Sequence, residues 1–235
     1  MKRIYLLISF LGLFCLSAGA QSLTIEYNIG HGSYDMSEMN DFLDYTSLPI
    51  YNAVITDRFP SYLTQDVRVG LEWKSHHMGA LFTYMNTAGQ MGASDYTGSC
   101  YYSLRAKGYK VGGFYRFRLA DEKVGSFSFQ PYLQLASGVV LNSLKENNEL
   151  SLSYVPEEIY KTVDRTTGIN FFVEPAIGFK FGLCRYVALN VNIAYEWDAV
   201  KRIRQRDDYL RPWPTVDWSG YRAQAGLIFY MNLNK

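Results

Sequence analysis

Eight stretches of the chain alternate between apolar and polar side chains, with the two-residue period of a half-buried β-strand. In the first stretch, Ile25, Tyr27 and Ile29 share one face, while Thr24 and Glu26 share the other. The eight stretches are residues 22–30, 66–74, 80–85, 109–118, 127–141, 170–181, 186–197 and 221–231. Each is close to the length of about 9–11 tilted residues with which a β-strand crosses a bilayer.

The connections between these stretches alternate in length. Those near residues 75–77, 120–125 and 182–185 are short, and those near 31–64, 86–107, 142–167 and 198–217 are long. Short turns at one end and long loops at the other are typical of outer-membrane barrels. The pattern therefore predicts an all-β, eight-stranded, antiparallel, up-and-down transmembrane β-barrel. We also expect a short helix over residues 36–47, and a local bulge where Pro131 and Pro175 interrupt neighbouring strands.

The distribution of charge decides which face meets lipid. The apolar faces carry no charged residue, and their large side chains would overfill the lumen of an eight-stranded barrel. We therefore expect these faces outside, with aromatic girdles formed by Trp73, Tyr84, Tyr195, Trp197 and Tyr221. A lipocalin-like secreted barrel would need charged outward faces, and the pattern disfavours it. The charges expected in the interior are Glu26, Asp66, Arg68, Glu72, Lys74, Lys110, Arg116, Arg118, Glu174, Lys180, Glu196 and Arg222.

The N-terminus resembles a secretory signal peptide. Lys2 and Arg3 precede an apolar run over residues 4–16, and the small residues Ala18-Gly19-Ala20 follow. We expect cleavage after Ala20, so that residues 1–20 are the signal peptide and residues 21–235 form one barrel domain. Removing Lys2 and Arg3 from the 23 basic residues leaves 21 against 22 acidic ones. A nearly neutral chain creates no field that attracts nucleic acid.

With these segments in view, the chain resembles the small outer-membrane β-barrel proteins of Gram-negative bacteria, the OmpA/OmpX-like proteins. Residues 224–231 resemble the signal that the barrel-assembly machinery reads, although the chain continues for four residues beyond Met231. The resemblance implies that the protein crosses the periplasm, is inserted into the outer membrane and keeps its long loops outside. The residues implied in the contact with the assembly machinery are Gln224, Gly226, Phe229 and Met231.

Charged side chains enclosed by a barrel need partners, because burial of an unpaired charge is costly. Hairpin geometry predicts two neighbouring-strand pairs, Glu26–Arg68 and Glu196–Arg222. We expect the interior to be a side-chain plug, since about eight strands leave room only for side chains. A polar pore is the alternative. The expected interior network is Glu26, Arg68, Glu72, Arg116, Glu174, Glu196 and Arg222.

The fourth long loop contains a basic cluster beside Tyr209 and Trp213. Arginine forks match phosphate oxygens, so this cluster could contact lipopolysaccharide on the outer face. The alternative is a solvated loop, partly neutralised by Asp207 and Asp208. The cluster consists of Lys201, Arg202, Arg204, Arg206 and Arg211.

Catalytic and metal chemistry find little support in the sequence. His31 and Ser33 flank a glycine, but no acidic partner is fixed by spacing, so an esterase site is disfavoured. His76 and His77 are expected to be solvated in a short turn, and no cofactor or metal is predicted. Cys100 and Cys184 are expected at opposite ends of the barrel, too far apart for a disulfide.

The sequence thus predicts a non-enzymatic, monomeric outer-membrane protein with a plugged interior, which acts as a structural or surface-interaction protein through its external loops. Its partners would be outer-membrane lipids and lipopolysaccharide, and not nucleic acid. One alternative is a small porin or transport module, with ten strands if residues 31–64 contribute a hairpin. The other is a lipid-modifying esterase.

Overall fold

The computed structural model describes residues 22–47, 54–61, 63–124, 127–152, 159–204 and 214–232. The expected signal peptide lies outside these residues. One helix and ten strands are assigned within them. The helix α1 spans Ser37–Ser47. The strands are β1 (Ser22–Gly32), β2 (Val54–Arg58), β3 (Leu63–Trp73), β4 (His76–Asp95), β5 (Gly98–Arg118), β6 (Glu122–Val124), β7 (Phe127–Leu152), β8 (Ile159–Cys184), β9 (Val187–Arg204) and β10 (Gly220–Asn232).

Eight long strands form the predicted antiparallel barrel. Their order is β1-β3-β4-β5-β7-β8-β9-β10, and β10 pairs with β1, so the ladder of hydrogen bonds returns to its start. The other two strands are short: β6 pairs with the beginning of β7, and β2 pairs with β4 at Gly89–Gly92. Residues 31–64 therefore contribute α1 and one five-residue strand to the described structure, and the ten-strand alternative is wrong.

The strand faces point as the charge pattern predicts. On β1, Ile25, Tyr27 and Ile29 point outward with 40–48% of their surface exposed, whereas Glu26 and Asn28 are fully buried in the lumen. The same alternation continues around the ring. This outward apolar surface, called the belt below, includes Val67, Val69, Phe82, Val111, Leu135, Val139, Leu141, Ile169, Phe171, Ile177, Phe179, Val191, Ile193, Leu227 and Phe229.

The two ends of the barrel differ. The turns after β3 and β8 leave only two residues between strands, and they lie at the same end as Ser22 and Asn232. We call this the periplasmic end and the opposite one the outer end. Trp73 is exposed at the periplasmic end, and Tyr195, Trp197 and Tyr221 are exposed towards the outer end, as interface girdles require.

The outer end is taller than the sequence pattern predicts. Residues 86–107 were expected to form a loop, but β4 and β5 stay paired up to Asp95 and Gly98, where a two-residue turn joins them. Likewise, β7 and β8 stay paired through most of residues 142–167. Both pairs of strands continue well beyond the belt, so these expected loops are largely β-hairpin.

Hydropathy inverts in these extensions, and this inversion hid them. Leu104 and Leu144 point into the lumen and are fully buried, whereas Arg105 and Lys145 point outward. Above the lipid, water surrounds the barrel, so the apolar face must turn inward. Helix α1 closes this part of the lumen with Met39 and Leu43, which are also fully buried.

The two prolines do not create the expected bulge. Pro131 lies opposite Phe179 and Pro175 lies opposite Leu135, in a β7–β8 ladder whose register runs unbroken from Ser128 to Ser151. The register shifts instead between β8 and β9, at Phe171/Phe172 and at Gly182/Cys184. None of the helices among the described residues has the length and apolar character needed to cross a membrane.

Candidate functional site

The barrel interior concentrates the buried polar chemistry of the described residues. Because each strand sends alternate side chains inward, eight strands bring charged groups from distant parts of the sequence into one lumen. These groups form three clusters, at the periplasmic mouth, in the middle of the barrel and towards its outer half. An apolar cap lies above them.

The middle cluster is centred on Glu26. Arg116 donates two hydrogen bonds to the Glu26 carboxylate, Nη1 to Oε2 at 3.1 Å and Nη2 to Oε1 at 3.2 Å. Arg68 lies opposite Glu26 in the β1–β3 register, with Nη1 3.7 Å from Oε1. The Arg68 Nε is 2.7 Å from Asp66 Oδ1. Two carboxylates and two guanidinium groups thus make this cluster neutral.

Uncharged side chains complete the middle cluster. Gln134 accepts hydrogen bonds from Arg68 and Arg116, both at 2.8 Å. Asn190 donates to Glu26 Oε1 at 2.7 Å and accepts from Tyr132 at 2.7 Å. These contacts tie five strands together through one network, and hydrogen bonding of this kind is what makes buried charges tolerable.

The outer cluster joins Lys110, Glu174, Glu196 and Arg222. Lys110 contacts both carboxylates, and its Nζ is 2.5 Å from Glu196 Oε2. Arg222 Nη2 is 2.9 Å from the same Glu196 oxygen, which gives the pair that hairpin geometry predicts. Two positive and two negative groups again balance. Sequence analysis placed Lys110 on the correct face but did not include it in the network.

A fifth buried acid, Asp198, was not identified from the sequence. It is 4% exposed, and its carboxylate accepts hydrogen bonds from Asn170 Nδ2 at 2.7 Å and from the Trp218 backbone N–H at 2.9 Å. The register shift between β8 and β9 turns Asp198 inward after Trp197. The sequence carries no signal for this shift, so Asp198 seemed to belong to the following loop.

The periplasmic mouth holds a third cluster. Lys180 Nζ is 3.0 Å from Glu72 Oε2 and 3.3 Å from His77 Nδ1. Arg118 approaches Glu72 with Nη1 3.5 Å from Oε1. The cavity left between these side chains is about 10 Å³, roughly one water molecule. A recess of about 180 Å³ beside Lys180 and Tyr230 opens at the same end.

Two sequence expectations at this mouth are wrong. His77 is not solvated: it is 2% exposed, and its Nε2 lies 2.7 Å from Thr24 Oγ1. The turn consists only of Lys74 and Ser75, so β4 has already begun and His77 takes an inward position. Lys74 was expected inside the lumen, but it is exposed in that turn with φ of 53°.

The apolar cap is the feature that sequence analysis missed most completely. Trp218 has no exposed surface, and its Nε1 donates to Asn142 Oδ1 at 2.7 Å. Gly108 on β5 leaves room for the indole, because a Cβ there would lie 2.9 Å from it. The cap comprises Met36, Met39, Leu43, Phe59, Leu81, Met85, Met91, Tyr102, Leu104, Ala106, Val140, Leu144, Phe172, Val216 and Trp218.

Polar contacts hold α1 over the outer opening. The Glu38 carboxylate accepts hydrogen bonds from the backbone and side chain of Thr215, the first at 3.1 Å. Arg58 donates two hydrogen bonds to Asp44, at 2.8 and 3.1 Å. The second contact lowers the pKa of the Asp44 carboxyl below its ordinary value, chiefly through the hydrogen bonds from Arg58.

The candidate esterase pair lacks the geometry of a catalytic site. The Ser33 hydroxyl accepts a hydrogen bond from the Tyr221 backbone N–H at 3.0 Å. His31 points outward on β1, and no hydrogen bond joins it to Ser33 in the described structure. Within the same residues, no group of three His, Cys, Asp or Glu side chains could hold a metal ion. Cys100, on β5, and Cys184, at the end of β8, are free thiols at opposite ends.

The predicted lipopolysaccharide residues are only partly within the described structure. The backbone of Lys201, Arg202 and Arg204 belongs to β9, whereas Arg206 and Arg211 lie outside the described residues. Those expected to contact the assembly machinery lie on β10, where Phe229 and Met231 point outward and Gln224 accepts a hydrogen bond from Arg68 at 2.8 Å. A Cβ at Gly226 would lie 2.1 Å from the Tyr27 carbonyl oxygen.

No protein-family model matches the chain, and no curated protein sequence matches it. Three solved structures are similar at low identity. Neisserial surface protein A is 12% identical, with coverage of 88% of this chain and 96% of that one and a TM-score of 0.40. For Ail, the attachment invasion locus protein of Yersinia pestis, the values are 13%, 91%, 99% and 0.36. For the outer membrane protease OmpT from Escherichia coli, they are 11%, 90%, 95% and 0.35.

The geometry itself identifies the architecture. A ring of eight antiparallel strands, an outward apolar belt, aromatic residues at its edges and short turns at one end are the features of small outer-membrane β-barrels. The chain is therefore an outer-membrane β-barrel protein of the Gram-negative, OmpA/OmpX-like type.

Proposed function

We propose that the protein is a non-conducting outer-membrane barrel, which anchors a β-structured platform for surface interactions outside the cell. The observation that carries this proposal is the filled lumen. Three neutral charge clusters and an apolar cap succeed one another between the periplasmic mouth and α1. A transport function would need a continuous aqueous path, and ion pairs with excellent partners are costly to separate.

Single-channel recording in planar bilayers tests the non-conducting barrel. The mature chain should show no sustained opening, whereas a general porin reconstituted in the same way should conduct. A variant that lacks residues 37–47 should also stay closed, because the middle and outer charge clusters remain beneath the cap. Sustained steps from the unmodified chain would favour the transport module instead.

The outer surface would interact with lipopolysaccharide through the fourth loop, as its composition suggests. Arginine at this height can form bidentate contacts with phosphate. Pull-down with lipopolysaccharide should therefore weaken when Arg202, Arg204, Arg206 and Arg211 are changed together to serine. Equal capture of wild type and variant would leave the fourth loop as a solvated segment.

The final strand would be the contact for the barrel-assembly machinery. Phe229 and Met231 present apolar side chains on one face, and Gly226 permits close approach of β1. Phe229→Ser should slow insertion into outer-membrane vesicles that contain the machinery. Phe127→Ser, which removes an exposed ring outside this strand, is the matched control.

A further inference from the structure

A row of three basic residues crosses the outer hairpins just above the belt. In the ladders, Arg105 on β5 lies opposite Lys145 on β7, and Lys145 lies opposite Arg165 on β8. All three point outward, because Leu104, Leu144 and Thr166, their neighbours in the chain, are buried in the lumen. Arg105 and Arg165 are exposed, and Lys145 is half-buried.

This row follows the belt in a fixed order. The last apolar row is formed by Tyr109, Leu141 and Ile169, which point outward with 38–53% of their surface exposed. Two residues higher on each strand come Lys107, Ser143 and Thr167, and two residues higher again come the three basic residues. At about 3.3 Å per residue and a tilt of about 40°, the basic row lies roughly 10 Å above the apolar row.

The basic row has no internal partner. Among the described residues, no carboxylate lies within ion-pair distance of Arg105, Lys145 or Arg165, although Lys161, higher on the same hairpin, is paired with Glu149. Like charges directly opposite each other on neighbouring strands are unfavourable. The row therefore has unused capacity for an anion, at the height where lipid headgroups meet the barrel.

We propose that Arg105, Lys145 and Arg165 form a binding site for the phosphate groups of an outer-leaflet glycolipid. The guanidinium groups of the two arginines can each hold a phosphate in a bidentate manner, with the Lys145 ammonium between them. Lys107, Ser143 and Thr167 offer further donors below the phosphates, towards the acyl chains. The apolar rows of the belt then cover the acyl chains of the same molecule.

A lipid fits this site better than a soluble anion. The site is continuous with a surface that is already committed to acyl chains, so one amphiphile satisfies both the belt and the basic row. The backbone register also places Arg204 of β9 opposite Thr167. The row thus points towards the fourth loop, and the inference deepens the proposed interaction with lipopolysaccharide by naming phosphate as the recognised group.

The test compares lipid binding by the full mature chain in detergent. The probes are bisphosphorylated lipid A and its dephosphorylated form, and the readout is the dissociation constant with the number of lipids retained in native mass spectrometry. The variant carries Arg105→Gln, Lys145→Gln and Arg165→Gln. Lys161→Gln is the matched control, because Lys161 lies on the same outer hairpin but already has an acidic partner.

Wild type and the Lys161→Gln variant should bind the phosphorylated lipid within twofold of each other. The triple variant should lose at least tenfold in affinity, and wild type should prefer the phosphorylated lipid by a similar factor. Raising the salt concentration should weaken wild type more than the triple variant, because screening acts on the removed charges. Circular dichroism and heat modifiability on gels establish that each variant is folded.

Three outcomes would overturn the proposal. The triple variant could bind like wild type, the dephosphorylated lipid could bind equally well, or inorganic phosphate at equal concentration could displace the lipid completely. The last result would identify a soluble anion as the ligand. None of these results depends on conductance or on the fourth-loop variant, so the failure of this site is distinguishable from failure of the proposed function.

Discussion

At the scale of single residues, the buried carboxylate of Glu26 is the group on which the middle cluster depends. It faces Arg116 and Arg68, while Asp66 can compensate only one of these cations. Glu26→Gln keeps the shape but leaves a buried guanidinium without a counter-charge. We expect a loss of about 3–5 kcal/mol in the free energy of unfolding. Urea titration in lipid vesicles, followed by tryptophan fluorescence, measures it.

Two companion variants separate charge balance from shape. The double variant Glu26→Gln, Arg116→Gln restores neutrality, so it should be less destabilised than Glu26→Gln alone. Glu149→Gln breaks an exposed pair with Lys161 and should change stability by less than about 1 kcal/mol. If Glu26→Gln cost no more than Glu149→Gln, the cluster would not be held by its ion pairs.

At the scale of elements, helix α1 is a docked piece of the first loop. Leu43 and Met39 are fully buried in the apolar cap, whereas Tyr45 is 67% exposed. Leu43→Ala should weaken docking by about 2–5 kcal/mol, since it removes a buried side chain and leaves a cavity. Hydrogen exchange of the α1 amides should accelerate accordingly. Tyr45→Ala is the control, and equal exchange in the two variants would contradict this docking.

The ion pair between Asp44 and Arg58 adds a dependence on pH. The pKa of Asp44 is lowered in the folded state, chiefly by hydrogen bonds from Arg58. Its contribution is therefore present above the ordinary pKa of about 3.9 and is lost as the pH falls through the lowered value. Proteolysis of the first loop by an acid-active protease should increase over that range. Asp44→Asn should start from the higher rate at neutral pH and show a flatter profile.

The elements within the belt were predictable from sequence, and those above it were not. Inside the bilayer, lipid outside and partner charges inside force one strict alternation, so Glu26 and Arg68 could be paired from hairpin geometry alone. Above the bilayer the alternation changes sense, and Leu104 and Leu144 point inward. A search for apolar outward faces therefore interprets that region as a loop. Trp218 reaches the lumen from an irregular segment, which no periodicity reveals.

At the scale of the whole molecule, one continuous barrel lies in two different solvents. Its lower lumen is polar where lipid surrounds it, and its upper lumen is apolar where water surrounds it. The change falls between Lys110 and Ala106 on β5, close to the outer girdle. The basic row Arg105–Lys145–Arg165 lies just above this boundary, which is why the boundary is also a natural place for headgroup recognition.

The orientation of the belt has a direct energetic consequence. Val191 points outward four residues after the start of β9, about 10 Å from the periplasmic end of an apolar band about 25 Å tall. Val191→Arg should therefore cost about 2–4 kcal/mol, because a guanidinium near the bilayer midplane is poorly solvated. Unfolding titrations in vesicles of saturated phospholipid give this value.

The matched control is Tyr186→Arg, at the exposed turn before the same strand. An arginine at the interface reaches water, so this change should cost only about 0–1 kcal/mol. The depth dependence matters more than either value, because a soluble barrel with the same fold would tolerate arginine at both outward positions. Equal and small effects of the two substitutions would mean that water, and not lipid, surrounds Val191, and the membrane placement of the barrel would be wrong.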